Sequence, residues 1–390
     1  MRSADLRGRD FKKILLIKLS ALGDVVHTMP VLNKLRRRYP AARVDWLTTP
    51  AMAELLRHNR AITSVIEFER AEWSSPRRLA AFTSSARLIV GLRRAGYDLV
   101  LDLQGQLRTA LFARATGAPT RIGFDKPRAG AFAASSRAFS QEARKHAWHG
   151  AREGSWLAYT HHIPLPNIDV HAVDRYLSVG PMLGLDEGAA DFSFPIPPEA
   201  TGRIDALMDY YEIGKAKLIA IAPGTVWETK EWRRDGFADV ARHFLQKHCA
   251  VTLIGSDRER EVCAQVATAA PGAINLAGET TLSELAALIR RSTVFIGNDS
   301  GPMHLAVALD RPVVSIFGPT DPVWAGPYGR DDAVMRANLP CSPCYLRRLD
   351  RCTHAHACMQ DVTAQRVIEQ VEKVLPRQTG STPTARASRR

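Results

Sequence analysis

One loop near the start of the chain combines small residues with a carboxylate that could move a proton. The run Ser20-Ala-Leu-Gly-Asp24 follows directly on the apolar stretch 11–19, which is typical of a buried parallel strand. A carboxylate beside a glycine at the end of such a strand can act as a general base toward an incoming hydroxyl. The alternative interpretation is that Asp24 caps the helix that follows.

A second loop has the residue types that bind phosphate. The segment 222–232 contains Gly224 and Thr225, which offer backbone amides and a hydroxyl, and Lys230, which can reach back as a point charge. Small residues, amides and one cation together can hold an anion. A surface turn with a solvated lysine is the alternative.

A third loop, residues 297–304, again ends an apolar run and begins a helix. Ser300 and Gly301 would place backbone amides at the N-terminus of that helix, which favours an anion. His304, about one turn further on, could donate to a phosphate or a sugar hydroxyl. Alternatively, Asp299 caps the helix and His304 packs in the interior. Glu259, in the run 254–261, is a candidate for accepting from ribose hydroxyls, or a solvated acid in the first turn of a helix.

Four cysteines are clustered at spacings that resemble metal ligands. The pattern is Cys341-x2-Cys344-x7-Cys352-x5-Cys358. In a reducing compartment such a cluster favours a structural zinc or iron ion over disulfides. We expect any such metal to hold a loop remote from the reaction. Free or adventitiously oxidised thiols are the alternative.

Alternating strands and helices on both sides of a proline-containing stretch, 185–201, position these loops. The pattern predicts an α/β protein of two doubly wound domains that face each other across a cleft, with the loops at the carboxyl ends of the strands. We place the domains at residues 11–190 and 200–375, followed by a disordered basic tail at 376–390. The first helix is expected to begin with Thr28 as its N-cap and Pro30 in its first turn.

Composition and motif spacing exclude several classes of protein. The single glycine near Asp24 disfavours a nicotinamide or flavin site, and the sequence contains no P-loop motif. The net charge is +13, yet basic residues are not interleaved with aromatic residues as in nucleic-acid-binding proteins. The sequence lacks the apolar core of a signal peptide and an apolar run long enough to span a membrane, so we expect a cytoplasmic protein.

Together, these segments resemble glycosyltransferase family 9, the lipopolysaccharide heptosyltransferases. The matching runs are residues 17–30 (IKLSALGDVVHTMP), 102–105 (DLQG), 223–232 (PGTVWETKEW), 298–306 (NDSGPMHLA) and 316–322 (IFGPTDP). The resemblance implies a GT-B fold, with the acceptor bound by the N-terminal half and the nucleotide sugar by the C-terminal half. It implies inverting, metal-independent transfer of heptose from ADP-heptose to the inner core of lipopolysaccharide, either Kdo or the first heptose.

The resemblance also implies residue roles and a location. Asp24 is expected to be the general base. The expected donor contacts are Thr225, Lys230, Glu259, Asp299, Ser300, Gly301 and His304, and the expected acceptor contacts are Ser20, Gly23, Gln104 and Arg128. Arg108, Arg121 and Arg137 are further candidates for binding the acidic core. The acceptor would be met at the cytoplasmic face of the inner membrane.

Three other functions remain open from the sequence. The first is a heptosyltransferase that modifies an autotransporter or another protein, because a related cysteine motif occurs in such enzymes. The second is a non-catalytic two-domain protein that binds sugar nucleotides, which only Asp24 argues against. The third is a basic protein that docks on nucleic acid, which would leave the runs around Asp24 and 298–304 unexplained.

Overall fold

The computed structural model describes residues 5–69, 78–127, 150–164 and 169–375, except for the side chains of 78–84. The expected acceptor residue Arg128, Arg137 and the basic tail at 376–390 lie outside the described residues. Among the helices that are described, none is long and apolar enough to cross a membrane.

The first half is built on a parallel sheet whose strands β1, β2 and β4, defined below, are short and almost wholly buried. Its strands are β1 (Lys13–Ile17), β2 (Arg43–Thr48), β3 (Ser64–Glu67), β4 (Leu99–Asp102), β5 (Thr120–Phe124) and β6 (His161–Ile163). They lie in the order β3-β2-β1-β4-β5-β6. Successive strands are added on one side of β1 up to β3 and on its other side from β4 onward. This change in strand order between β1 and β4 creates a crevice at the carboxyl ends of these two strands.

The second half repeats this topology. Its strands are β7 (Leu218–Ala222), β8 (Ala250–Leu253), β9 (Ile274–Asn275), β10 (Val294–Asn298), β11 (Val313–Phe317) and β12 (Val334–Arg336). They lie in the order β12-β11-β10-β7-β8-β9, and all neighbours are parallel. The corresponding crevice falls between β7 and β10. The expectation of two doubly wound α/β halves is confirmed.

Helices cover the faces of both sheets. In the first half they are α1 (Leu22–Arg38), α2 (Pro50–Leu56), α3 (Arg78–Ala95), α4 (Leu107–Ala115), α5 (Ala172–Leu177) and α6 (Gly180–Leu183). In the second half they are α7 (Pro198–Tyr210), α8 (Arg234–Gln246), α9 (Arg260–Ala269), α10 (Leu282–Arg291), α11 (Gly301–Ala308), α12 (Pro322–Ala325), α13 (Ala357–Gln360) and α14 (Ala364–Val374).

The start of α1 differs from the expectation. The helix begins at Leu22, so Thr28 is not its N-cap and Pro30 lies inside it. The Thr28 hydroxyl instead donates to the carbonyl of Asp24, 2.8 Å away. A proline inside a helix removes one hydrogen bond. The helix continues through it because the residues around Pro30 are buried against the core, and that burial outweighs the lost bond.

Polar contacts join the two halves. The carboxylate of Glu54 on α2 accepts from the backbone amides of Leu282 (3.2 Å) and Ser283 (3.0 Å) at the start of α10. Near the reversal points of the sheets, α1 and α11 come together. A Cβ added to Gly301 would lie 2.8 Å from the Cβ of Leu22, so only glycine allows this approach. The crevices of the two sheets therefore meet.

Candidate active site

Asp24 lies in the first turn of α1, and each of its two carboxylate oxygens accepts a hydrogen bond. The Tyr176 hydroxyl donates to Asp24 Oδ1 at 2.6 Å, and the Ala21 amide donates to Oδ2 at 3.3 Å. The second contact belongs to a helix-capping arrangement, so the capping interpretation describes part of what Asp24 does. The side chain nevertheless remains 40% exposed. A carboxylate held in this way can still face a substrate in the cleft.

Lys18 lies buried beneath this carboxylate. Its Nζ atom is 3.5 Å from Asp24 Oδ1 and donates to the Tyr176 hydroxyl at 2.7 Å and to the Leu103 carbonyl at 3.0 Å. Burial lowers the pKa of Lys18, and the charge of Asp24 opposes that shift. Burial also acts to raise the pKa of Asp24, but the Lys18 charge and the Tyr176 hydrogen bond outweigh it, so that pKa falls below its ordinary value. Asp24 is therefore ionised at neutral pH and able to accept a proton.

The loop after β7 places Lys230 on the opposite side of the cleft. The Lys230 ammonium pairs with Asp299 Oδ2 at 2.7 Å and lies 4.4 Å from the centre of the Trp227 ring. The side chain of Asn298 ties the loop to the end of β10, because it accepts from the Trp232 amide (3.0 Å) and donates to the Pro223 carbonyl (2.8 Å). Thr225 lies half-buried in this loop.

The N-terminus of α11 lies opposite the loop of Lys230, and the two together form the region where we expect the donor to bind. Ser300 is its N-cap residue, and the Ser300 hydroxyl oxygen is buried with no hydrogen-bond partner among the described residues. Asp299 does not cap this helix, because its Oδ2 atom accepts from the Thr320 hydroxyl at 2.6 Å and pairs with Lys230. Burial acts to raise the pKa of Asp299, but the charge of Lys230 and the hydrogen bonds to the carboxylate together outweigh it. The pKa of Asp299 therefore lies below its ordinary value. The carboxylate thus fixes the lysine and leaves the helix amides to a ligand.

Two buried histidines join the halves at the cleft. His27 Nε2 on α1 lies 3.0 Å from His304 Nδ1 on α11, and His304 Nε2 lies 4.0 Å from Asp299 Oδ1. Burial lowers the pKa of His304 to about 4 and that of His27 well below its ordinary value. Both rings are therefore neutral at pH 7, and one donates while the other accepts. A Cβ on Gly23 would lie 2.4 Å from the His304 ring, so Gly23 allows this contact.

Glu259 lies beside the loop that contains Gly224, Thr225 and Lys230, although Glu259 itself follows the next strand, β8. A Cβ on Gly224 would lie 2.5 Å from Glu259 Cγ. The Glu259 carboxylate accepts from the Ser256 amide at 2.6 Å and from the Ser256 hydroxyl at 2.9 Å. The structure thus brings Glu259 to the edge of the sheet that carries Thr225 and Lys230.

The expected acceptor residues gather around the loop of Asp24. Ser20 is in that loop, and Gln104, after β4, accepts from the Leu19 amide at 3.1 Å. Arg121, an additional candidate, donates instead to the backbone carbonyls of Ala158 (2.8 Å) and Ala118 (2.5 Å), which is a structural role. Arg108 lies over the Phe68 ring.

The cysteine segment, residues 341–358, packs directly against the loop that carries Lys230, rather than lying far from the candidate site. The Thr229 hydroxyl donates to the Leu346 carbonyl at 2.6 Å, and His356 Nε2 lies 2.7 Å from the Thr229 carbonyl. All four thiols are free. Within the described part of the chain, no group of three or more His, Cys, Asp or Glu side chains is arranged to hold a metal ion. The described residues therefore give no support to the expected zinc or iron site.

Sequence reasoning missed Lys18, His27 and Tyr176. A lysine directly after a buried strand and five residues before a glycine was one available signal, and a histidine one turn after Asp24 was another. The second was hidden by placing the helix start at Thr28.

Comparison with known proteins finds similar sequences along most of the chain. The model of glycosyltransferase family 9 (heptosyltransferase) matches residues 85–149 and 144–355. Lipopolysaccharide heptosyltransferase 1 of Pseudomonas aeruginosa is 28% identical over 384 residues, which cover 93% of this chain and 98% of that protein. Lipopolysaccharide heptosyltransferase 3 of Escherichia coli is 27% identical over 369 residues, which cover 92% and 98% respectively.

A solved structure, the E. coli ADP-heptose LPS heptosyltransferase II, is similar with a TM-score of 0.71 at 22% identity, over 93% of this chain and 98% of that one. The fold is therefore GT-B. Since the family model covers well over half of the residues, the chain belongs to glycosyltransferase family 9, the heptosyltransferases, and is a glycosyltransferase.

Proposed function

We propose that this glycosyltransferase moves heptose from ADP-heptose to an inner-core sugar of lipopolysaccharide, either Kdo or the first heptose. The names of the related proteins, lipopolysaccharide heptosyltransferases 1 and 3, support this assignment. The observation that carries the chemistry is the Asp24 carboxylate, ionised and 40% exposed, in a cleft whose other wall carries Lys230 and the N-terminus of α11.

The proposed reaction is one direct displacement with inversion at the anomeric carbon. Asp24 accepts the proton of the acceptor hydroxyl as its oxygen forms the new bond to the anomeric carbon. The bond from that carbon to the diphosphate oxygen breaks, and ADP leaves with the electron pair. Lys230 and the backbone amides at Ser300 and Gly301 stabilise the negative charge that builds on the diphosphate. A lysine and a helix N-terminus supply this stabilisation without a metal ion.

The remaining donor contacts follow from position. We propose that Glu259 accepts from the ribose and that Thr225 donates to the diphosphate, because the two residues lie at adjacent strand ends. His304 is held by His27 and lies near Asp299, so it is placed to contact the donor phosphate or sugar. Ser20, Gly23 and Gln104 surround the base on the acceptor side, and Arg128 remains a proposed acceptor contact.

We favour Kdo as the acceptor and the cytoplasmic face of the inner membrane as the place of reaction. The run 170–176 and the segment 44–46 resemble the enzymes that add the first heptose. The cysteine segment, in contrast, resembles the enzymes that add the second heptose, so the assay below includes that acceptor as well. A net charge of +13 favours approach to an anionic surface that carries the acceptor.

The test is transfer from ADP-heptose to Kdo2-lipid A by the wild type, Asp24→Asn and Asp209→Asn, each with and without EDTA. Asp209 is an exposed aspartate on α7 and serves as the matched control. We expect product from the wild type and from Asp209→Asn, unchanged by EDTA, and a loss of about 100-fold or more in Asp24→Asn. No product from the wild type, on this acceptor or on one that already carries heptose, would refute the assignment and favour a protein acceptor.

A further inference from the structure

A cavity of about 300 Å³ lies in the cysteine segment, outside the site described above. Its lining consists of Tyr345, Leu346, Arg347, Arg348 and Arg351. Three of these five residues are arginines, so the chemistry of the lining is that of a site for an anion. Nothing in the proposed reaction uses these residues.

The walls of the cavity are fixed by hydrogen bonds to the donor side. The Tyr345 amide donates to the Pro319 carbonyl at 2.8 Å, and the Tyr345 hydroxyl accepts from the Asp321 amide at 3.3 Å. The Leu349 amide donates to Glu228 Oε2 at 3.2 Å, and the Leu346 carbonyl accepts from Thr229. These contacts fix the backbone of the segment, while the side chains of Arg347, Arg348 and Arg351 are exposed at its surface.

Two of the arginines carry charge that no residue in the described part of the chain neutralises. Arg348 pairs with Asp350 at 2.8 Å. Neither Arg347 nor Arg351 forms an ion pair with any residue that the structure describes. A planar guanidinium can bind the oxygens of a phosphate or a carboxylate through two parallel hydrogen bonds. Two such groups in one cavity select for an anion.

The cavity adjoins the donor side through one aromatic ring. The Arg347 guanidinium lies 4.8 Å from the centre of the Trp227 ring, and the Lys230 ammonium lies 4.4 Å from the same centre. Because both groups are measured to the same ring centre, the Arg347 guanidinium and the Lys230 ammonium lie within about 9 Å of each other. An anionic group bound at Arg347 would therefore lie beside the loop that carries Lys230.

We propose that this cavity binds an anionic group, a phosphate or a carboxylate, of the acceptor saccharide while a neighbouring hydroxyl reacts. The inference rests on the proposed function, because it assigns a part of the same acceptor. The donor diphosphate is already served by Lys230 and the start of α11, which leaves the arginines to the acceptor.

The test compares the wild type with the double variant Arg347→Gln/Arg351→Gln. The control is Arg203→Gln/Arg366→Gln, which removes two exposed arginines from α7 and α14 and matches the change in charge. In the transfer assay we expect the KM for Kdo2-lipid A to rise roughly tenfold in the cavity variant, since each charge-assisted hydrogen bond is strong. The KM for ADP-heptose and the kcat at saturating acceptor should stay near wild type.

Two further arms complete the experiment. Kdo2-lipid A from which the phosphates have been removed separates the anions: a difference between variant and wild type that disappears identifies phosphate, and one that persists identifies the Kdo carboxylates. Direct binding of Kdo2-lipid A without donor tests the cavity even if no transfer occurs, so failure of the proposed function remains distinguishable. An unchanged acceptor KM and binding, an equal loss in the control, or an effect on the KM of ADP-heptose alone would overturn the proposal.

Discussion

Lowering the pH from 7 to 5 should destabilise the protein through the buried pair of His27 and His304. Burial lowers the pKa of His304 to about 4, against 6.5 for the ordinary side chain. The unfolded chain therefore binds a proton below pH 6.5 that the folded protein does not accept until about pH 4. Since the unfolded state binds more protons in this window, the free energy of unfolding must fall as the pH falls.

The magnitude follows from these two pKa values. Between pH 7 and pH 5, His304 alone should reduce the free energy of unfolding by about 2 kcal/mol. The pKa of His27 is lowered in the same direction, so protonation of His27 adds to the loss. Asp299 does not cancel it, because its own pKa is lowered and it stays ionised throughout this range.

The assay is urea unfolding at both pH values for the wild type, His304→Asn and His248→Asn. His248 is exposed and has a φ of +57°, a conformation that asparagine tolerates, so this variant is a suitable control. We expect the stability difference between pH 7 and pH 5 to shrink by about 2 kcal/mol in His304→Asn and to remain in His248→Asn. If His304→Asn kept the full difference, the assignment of a buried neutral His304 would be wrong.

Three further substitutions test the architecture of the site. Gly23→Ala should push α1 away from the His304 ring, reducing kcat/KM for transfer and lowering stability by about 1–3 kcal/mol in urea unfolding. Lys18→Met removes the charge that keeps the pKa of Asp24 low, so the acid limb of the pH–rate profile should move to higher pH; an unmoved limb would contradict this. Thr229→Val should raise the KM for ADP-heptose roughly fivefold by freeing the cysteine segment, with about 1 kcal/mol lost. An unchanged KM would show that the segment does not support the donor loop.

Much of the fold, and the loops that carry the candidate site residues, can be predicted from local sequence. Buried apolar runs that end in small polar turns mark the strands β1, β7 and β10, and parallel strands place their carboxyl ends at one edge. Asp24, Lys230 and Asp299 are found in this way because each lies in the segment that follows such a run, β1, β7 and β10 respectively. The edge strands β3 and β6 are short and less apolar, and the sequence reasoning did not find them.

The contacts that tune the site are set by the tertiary fold. Tyr176 reaches Asp24 across 152 residues, and His27 reaches His304 across 277. No local pattern contains such pairs, and a lysine beside a strand ordinarily predicts a solvated charge. The cysteine spacing suggested a metal site, whereas the segment is held by backbone hydrogen bonds to the Pro319 carbonyl and by side-chain-to-backbone hydrogen bonds with Thr229.

The Glu54 carboxylate fixes the start of α10 to the first half of the chain. It accepts from two successive backbone amides there, while the side chain of Thr281 caps the same helix from its own half. Two bonds from one carboxylate resist sliding of the two halves past each other at this point. Because the donors are backbone groups, the side chains at positions 282 and 283 can change in evolution while this link is preserved.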